Sequence, residues 1–103
     1  WNFPCAIPIG GIVAALAGGN TVILKPATVA APVAWLFAQA FWDAGVPKEA
    51  LQVIITDRDA LKVLTSAPAI KHIILTGGTD TAQNIARSNP STPLSAETGA
   101  RTL

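Results

Sequence analysis

The chain has 103 residues, room for one domain with a modest core and none for a multidomain arrangement. Half of the residues are hydrophobic and 13% are charged, against roughly 25% in an ordinary soluble domain, so a free-standing chain would lack the charge to dress its surface. A net charge of +1 leaves no electrostatic footprint for nucleic acid, and the single Cys5 makes no internal disulfide and points to a reducing, cytoplasmic setting.

Residues 8–17 (PIGGIVAALA) predict a short apolar helix, stopped by Gly18-Gly19-Asn20. Residues 21–25 (TVILK) are β-branched and apolar between that turn and Pro26, which predicts a strand. Over 30–44 the apolar Val33, Phe37, Ala40, Phe41 and Ala44 recur at helical spacing until Gly45 and Pro47. A second strand follows at 51–55 (LQVII), then a helix capped by Asp57 and running to about Ser66, with Pro68 beyond it. Residues 71–75 (KHIIL) predict a third strand, 79–88 a further helix, and 93–96 a fourth strand. Strands alternating with helices imply an α/β fold: a Rossmann-like open, mainly parallel sheet with helices on both faces, its strands apolar on both sides.

Low charge has two readings, a membrane or cover by the rest of a larger protein. Residues 1–24 and 26–42 carry no charge, but a spanning helix needs about 20 mostly apolar residues. Pro4 and Pro8 break the first stretch and Gly18-Gly19-Asn20 closes it; Pro26, Thr28, Pro32 and Gln39 interrupt the second. The expectation is therefore no membrane span. Beginning at Trp1 rather than Met, residues 1–103 are expected to form a single partial domain of a longer chain.

In open α/β sheets ligands bind beyond the carboxyl ends of the strands, and three polar groups fall there. Lys25 would emerge at the sheet edge, either to bind a nucleotide ribose or phosphate or as a solvated strand end. Thr76-Gly77-Gly78-Thr79 is either a tight strand-to-helix turn or a place where backbone and helix N–H groups meet an anion. Glu97, in Ser95-Ala96-Glu97-Thr98-Gly99, is either an exposed loop acid or a carboxylate whose partial burial suits it to general-base work. Asn2 offers an amide to a developing oxyanion, or simply sits in a turn before Phe3-Pro4. Cys5, among Phe3, Pro4, Ala6 and Ile7, has no cation to activate it and reads as inert. His72 lies inside the KHIIL strand as a structural residue, and no second His exists to build a metal site.

Trp1-Asn2-Phe3-Pro4, then Gly19-Asn20-Thr21-Val22 running into Lys25-Pro26-Ala27, then Leu75-Thr76-Gly77-Gly78-Thr79, then Glu97-Thr98-Gly99 resemble, in order and spacing, the signatures of the aldehyde dehydrogenase superfamily. The wording around Glu97 and over 75–82 is most similar to Δ1-pyrroline-5-carboxylate (glutamate-semialdehyde) dehydrogenases, some of which are fused to a proline dehydrogenase. The resemblance implies that the chain is part of a cofactor-binding domain. It implies that Asn2 stabilises the thiohemiacetal oxyanion and that Glu97 activates the water that hydrolyses the acyl-enzyme. It further implies that Lys25, with Ala27 and Thr28 beside it, holds the adenosine ribose of NAD, that Gly77 and Gly78 line its pyrophosphate, and that Trp1 and Pro4 shape the wall beside the nicotinamide. A small aldehyde substrate and a homo-oligomeric parent protein are implied in the same way.

Three departures qualify the resemblance. The family's nucleophilic cysteine belongs well beyond Glu97, whereas this chain ends six residues after it, and Cys5 is not its replacement. Thr28 stands where many NAD-preferring members carry Glu, which leaves NADP open as cofactor. Glu97-Thr98-Gly99 continues as Ala100-Arg101-Thr102-Leu103 rather than as the family's Gly-Lys-Asn-Ala. Loss of one G from codons GGC GGC AAG AAC GCT would read Gly-Ala-Arg-Thr-Leu, so the carboxyl end is expected to be a frameshift. Resequencing tests this; an intact frame with no dehydrogenase-like coding downstream would sink it. The competing functional readings are a non-catalytic nucleotide-binding or assembly module and a membrane-inserted hairpin.

Overall fold

A computed structural model of the chain describes residues 6–98. Its elements follow the expected alternation: α1 (Ala6–Ala17), β1 (Val22–Leu24), a 3-10 turn at Thr28–Ala30, α2 (Ala31–Asp43), β2 (Leu51–Val53), α3 (Arg58–Thr65), β3 (Ile73–Gly77), α4 (Thr79–Ser88) and β4 (Leu94–Thr98). Helix α1 begins earlier than expected, so Pro8 falls in its first turn, where the missing N–H has no helical partner to lose. Helices α1 and α2 both stop in a Schellman arrangement around a left-handed glycine. Gly19 has φ 84° and Gly45 φ 112°. The N–H groups of Asn20 and Val46 reach back to the carbonyls of Ala15 and Phe41, at 3.0 Å each. At α3 the expected cap is present: Asp57 accepts from the Ala60 N–H at 2.8 Å.

Strand boundaries differ from expectation in ways that matter for the site. Strand β1 leaves Lys25 just outside, and β2 stops at Val53. Strand β3 lies two residues further along than expected, taking in Thr76 and Gly77 and leaving His72 just before it. Strand β4 continues to Thr98, so Glu97 lies inside the ladder rather than beyond it.

The chain divides into two compact units, Trp1–Ile55 and Thr56–Leu103, each a β–α–β unit with parallel strands. In the first, β1 pairs with β2 (Val22 with Leu51, Leu24 with Val53). The core beneath them is Ile12, Ala34, Phe37, Ala38 and Leu51. The buried stripe of α2 is Ala34, Phe37 and Ala38, flanked by the half-buried Val33, Phe41 and Trp42. It differs from the expected face because Ala40 and Ala44 are exposed. Trp42 ties α2 to β2, its Nε1–H donating to the Leu51 carbonyl at 2.9 Å.

In the second unit β3 and β4 pair over five residues, from Ile73 with Leu94 to Gly77 with Thr98. Helix α4 packs on both strands with Ala82 buried. The buried Asn89 closes α4, its Nδ2–H donating to the Ile85 carbonyl at 3.1 Å. The hydrogen-bonded ladders are thus two parallel pairs, β1–β2 and β3–β4. Neither pair is covered on both faces by the described residues: Ile23 and Gln52 are exposed in one, Ile74, Ser95 and Glu97 in the other.

Candidate functional site

At the carboxyl end of β3 the chain turns through Gly78, whose extended backbone (φ −74°, ψ 153°) occupies the cap position of α4. No side chain caps this helix, so first-turn N–H groups remain free to meet a ligand; Asp80 shares that first turn. Neither Gly77 nor Gly78 has a positive φ. A Cβ on Gly77 would meet only Leu75 Cδ1, at 3.8 Å, and one on Gly78 would meet nothing within 4 Å. Nothing within the described chain therefore requires glycine at 78, and the backbone there borders open space.

Glu97 is brought to the same end: it pairs with Thr76, one residue before Gly77. Its side chain is exposed, which matches the first of its two readings and removes the partial burial that the second called for. In the first unit, Lys25 follows β1 directly and is exposed. Buried Pro26 anchors the loop behind it. Ala27, at φ −60° and ψ 144°, leads into the 3-10 turn that starts with the exposed Thr28. The expected positions thus form two groups: Lys25, Ala27 and Thr28 after β1, and Gly77, Gly78 and Glu97 at the end of the β3–β4 pair. Trp1, Asn2, Pro4, Cys5 and the segment 100–103, expected to be out of frame, lie outside the described residues.

One polar contact was not foreseen. His72, expected to be structural within a strand, is exposed before β3, with its Nε2 2.8 Å from Ser95 Oγ. The signal was a period of two, since His72, Thr76, Ser95 and Glu97 share one strand face, and reading the strands as apolar on both sides hid it. Two depressions mark the surface of the described residues. One, of about 440 Å³, lies in the loops that enter β3 and β4, the end opposite Gly77, and includes Ser66, Lys71 and Asn89. The other is apolar and lined by Ala31, Pro32, Trp35, Leu36 and Ile55. Among the described residues no group of three His, Cys, Asp or Glu is placed to hold a metal, and no helix is long and apolar enough to cross a membrane.

The whole of this arrangement falls inside one family. Residues 1–102 match the model of the aldehyde dehydrogenase family. The chain belongs to that family. Among its aldehyde dehydrogenase relatives, a 1-pyrroline-5-carboxylate dehydrogenase of Geobacillus thermodenitrificans is 42% identical over 81 residues, 78% of this chain and 16% of the relative. The bifunctional protein PutA of Klebsiella aerogenes is 40% identical over a match that covers 96% of this chain and 8% of the relative. A crystal structure of a Bradyrhizobium japonicum Proline Utilization A (PutA) variant superposes with a TM-score of 0.90 at 39% identity, covering 96% of this chain and 11% of that one. The chain therefore spans a small fraction of the length of the aldehyde dehydrogenases it matches.

Proposed function

We propose that these residues form the cofactor-binding part of an NAD(P)-dependent aldehyde dehydrogenase that oxidises glutamate semialdehyde to glutamate in proline catabolism. The observation that carries this reading is the family match over residues 1–102, sharpened by 40% identity to a PutA across 96% of the chain. The open backbone at Gly78 and the uncapped start of α4 support it, because a dinucleotide pyrophosphate needs close backbone approach and free N–H donors.

In this reading Gly77 and Gly78 line the pyrophosphate, while Lys25, with Ala27 and Thr28 beside it, holds the adenosine ribose. Trp1 shapes the nicotinamide wall. Bound NAD(P)+ supplies the hydride acceptor. Asn2 donates its side-chain amide to the oxyanion formed when a cysteine of the longer protein attacks the aldehyde. Glu97 takes a proton from the water that cleaves the resulting thioester, a role its exposed position leaves open to solvent water. NAD is the favoured cofactor, with NADP open because Thr28 places no carboxylate against a 2′-phosphate. A cytoplasmic, homo-oligomeric parent protein belongs to the same proposal.

Titration of the chain with NAD+ and NADP+, followed by tryptophan fluorescence, tests the binding role: saturation is expected, and a folded chain that shows none would overturn it. In the longer protein, Glu97→Gln is expected to lower steady-state semialdehyde oxidation about 100-fold, within the usual range for a general base, while the first-turnover burst survives. Equal loss of burst and steady state would remove the base role from Glu97.

A further inference from the structure

The exposed face of the β3–β4 pair carries His72, Thr76, Ser95 and Glu97 around Ile74. Among the described residues one side-chain hydrogen bond crosses it, between His72 Nε2 and Ser95 Oγ at 2.8 Å. Ser95 pairs with Ile74 in the ladder, so the bond runs diagonally, from the residue before β3 to the second residue of β4. A diagonal bond of this kind narrows the register. A slip of one residue turns Ser95 to the other face, and a slip of two away from His72, nearly 7 Å along the strand by the ~3.3 Å rise per residue, carries it out of reach; a slip of two toward His72 keeps the two side chains close but sets Leu94 against Lys71, outside β3. The opposite face discriminates weakly, since Ile73, Leu75 and Leu94 are only half-buried and Ala82 is the buried hydrophobic beneath them.

We propose that His72 is a positioning residue. Acting through Ser95, it fixes β4 against β3 and thereby holds Glu97 opposite Thr76, beside Gly77 at the carboxyl end of the pair. The importance of that placement rests on the base role given to Glu97 above. Either neutral tautomer serves, because the serine hydroxyl both donates and accepts.

Amide hydrogen exchange on the 103-residue chain reads the latch directly. The β3–β4 amides report pairing, and the Trp42 indole N–H, bonded to Leu51 in the other unit, reports general unfolding. His72→Ala and Ser95→Ala are each expected to speed exchange in β4 about fivefold, the scale of one net side-chain hydrogen bond, and the double variant is expected to go no further than either single one. His72→Gln, whose side-chain nitrogen lies as many bonds from Cβ as Nε2 does, should return exchange to within about twofold of the parent. Unchanged β4 exchange in the alanine variants, no rescue by glutamine, or parallel acceleration of the Trp42 indole would each overturn the proposal. Failure of the functional reading shows separately, as a chain with the expected exchange pattern that binds neither NAD+ nor NADP+.

Discussion

Among the described residues, Ile12, Ala34, Phe37, Ala38 and Leu51 are buried in the Trp1–Ile55 unit, whereas Thr56–Leu103 buries Ala82 and the polar Asn89. The pairing runs the other way, with three ladder positions between β1 and β2 and five between β3 and β4. Helix α1 carries no charge and α2 only Asp43, while Arg58, Asp59 and Lys62 lie on α3 and Asp80 and Arg87 on α4. One unit is held mainly by removing apolar surface from water, the other mainly by a backbone ladder and helix ends. The groups proposed for the chemical step and the pyrophosphate, Glu97 with Gly77 and Gly78, sit in the unit with the thinner core. Its polar strand face is the surface that a reacting site needs and a core cannot use.

If that contrast is right, truncating the core of the first unit has the largest effect. Phe37→Ala removes a side chain 8% exposed and is expected to cost about 3–4 kcal/mol, read as a lower urea midpoint by tryptophan fluorescence. A loss under about 1 kcal/mol would mean that the cluster is not a packed core. Next comes Gly19→Ala. With φ 84°, a Cβ there is strained whatever space surrounds it, and about 1–2 kcal/mol should be lost in the same measurement. In the second unit the corresponding scale is a single cap. Asp57→Ala should cost about 1 kcal/mol and speed exchange at the start of α3, while the Trp42 indole N–H stays protected. Equal deprotection in both units would erase the comparison.

How far the sequence could be read followed the same division. Helix stops were legible because Gly18-Gly19-Asn20 and Gly45 with Pro47 encode a local backbone requirement, and Asp57 announced its cap for the same reason. Strand edges were not, because a ladder ends where its partner ends. The expected strand at 71–75 became Ile73–Gly77 because Leu94–Thr98 pairs in that register, and nothing near Leu75 records where β4 stops. On α2 the expected Val33, Phe37 and Phe41 do pack on the core, and only the alanines differ: alanines suit either side of a helix, and what packs against them buries Ala34 and Ala38 rather than Ala40 and Ala44. Lys25 and Gly78 could be placed just past strand ends from the alternation alone, whereas Gly77 and Glu97, expected there too, lie within the β3–β4 ladder. The exposure of Glu97 and the His72–Ser95 bond depend on long-range pairing and had no local signature beyond a period of two.

The smallest expected effect on stability separates architecture from ligand binding. Gly78→Ala places a Cβ where nothing lies within 4 Å, on a backbone with φ −74° that any residue adopts. Losing glycine reduces the freedom of the unfolded chain, which favours folding by about 0.4–1 kcal/mol. Alanine is a poorer helix cap than glycine by a similar amount. The two nearly cancel, so the urea midpoint should move by less than about 0.5 kcal/mol in equivalent stability. If the open space is where a pyrophosphate approaches the backbone, the same methyl group should weaken NAD+ binding at least tenfold, or about 1.4 kcal/mol. A variant with unchanged stability and unchanged affinity would show Gly78 to be a turn residue alone and would move the anion site away from the start of α4. Unchanged stability with lost affinity would assign that glycine to the ligand, since no contact inside the described chain requires it.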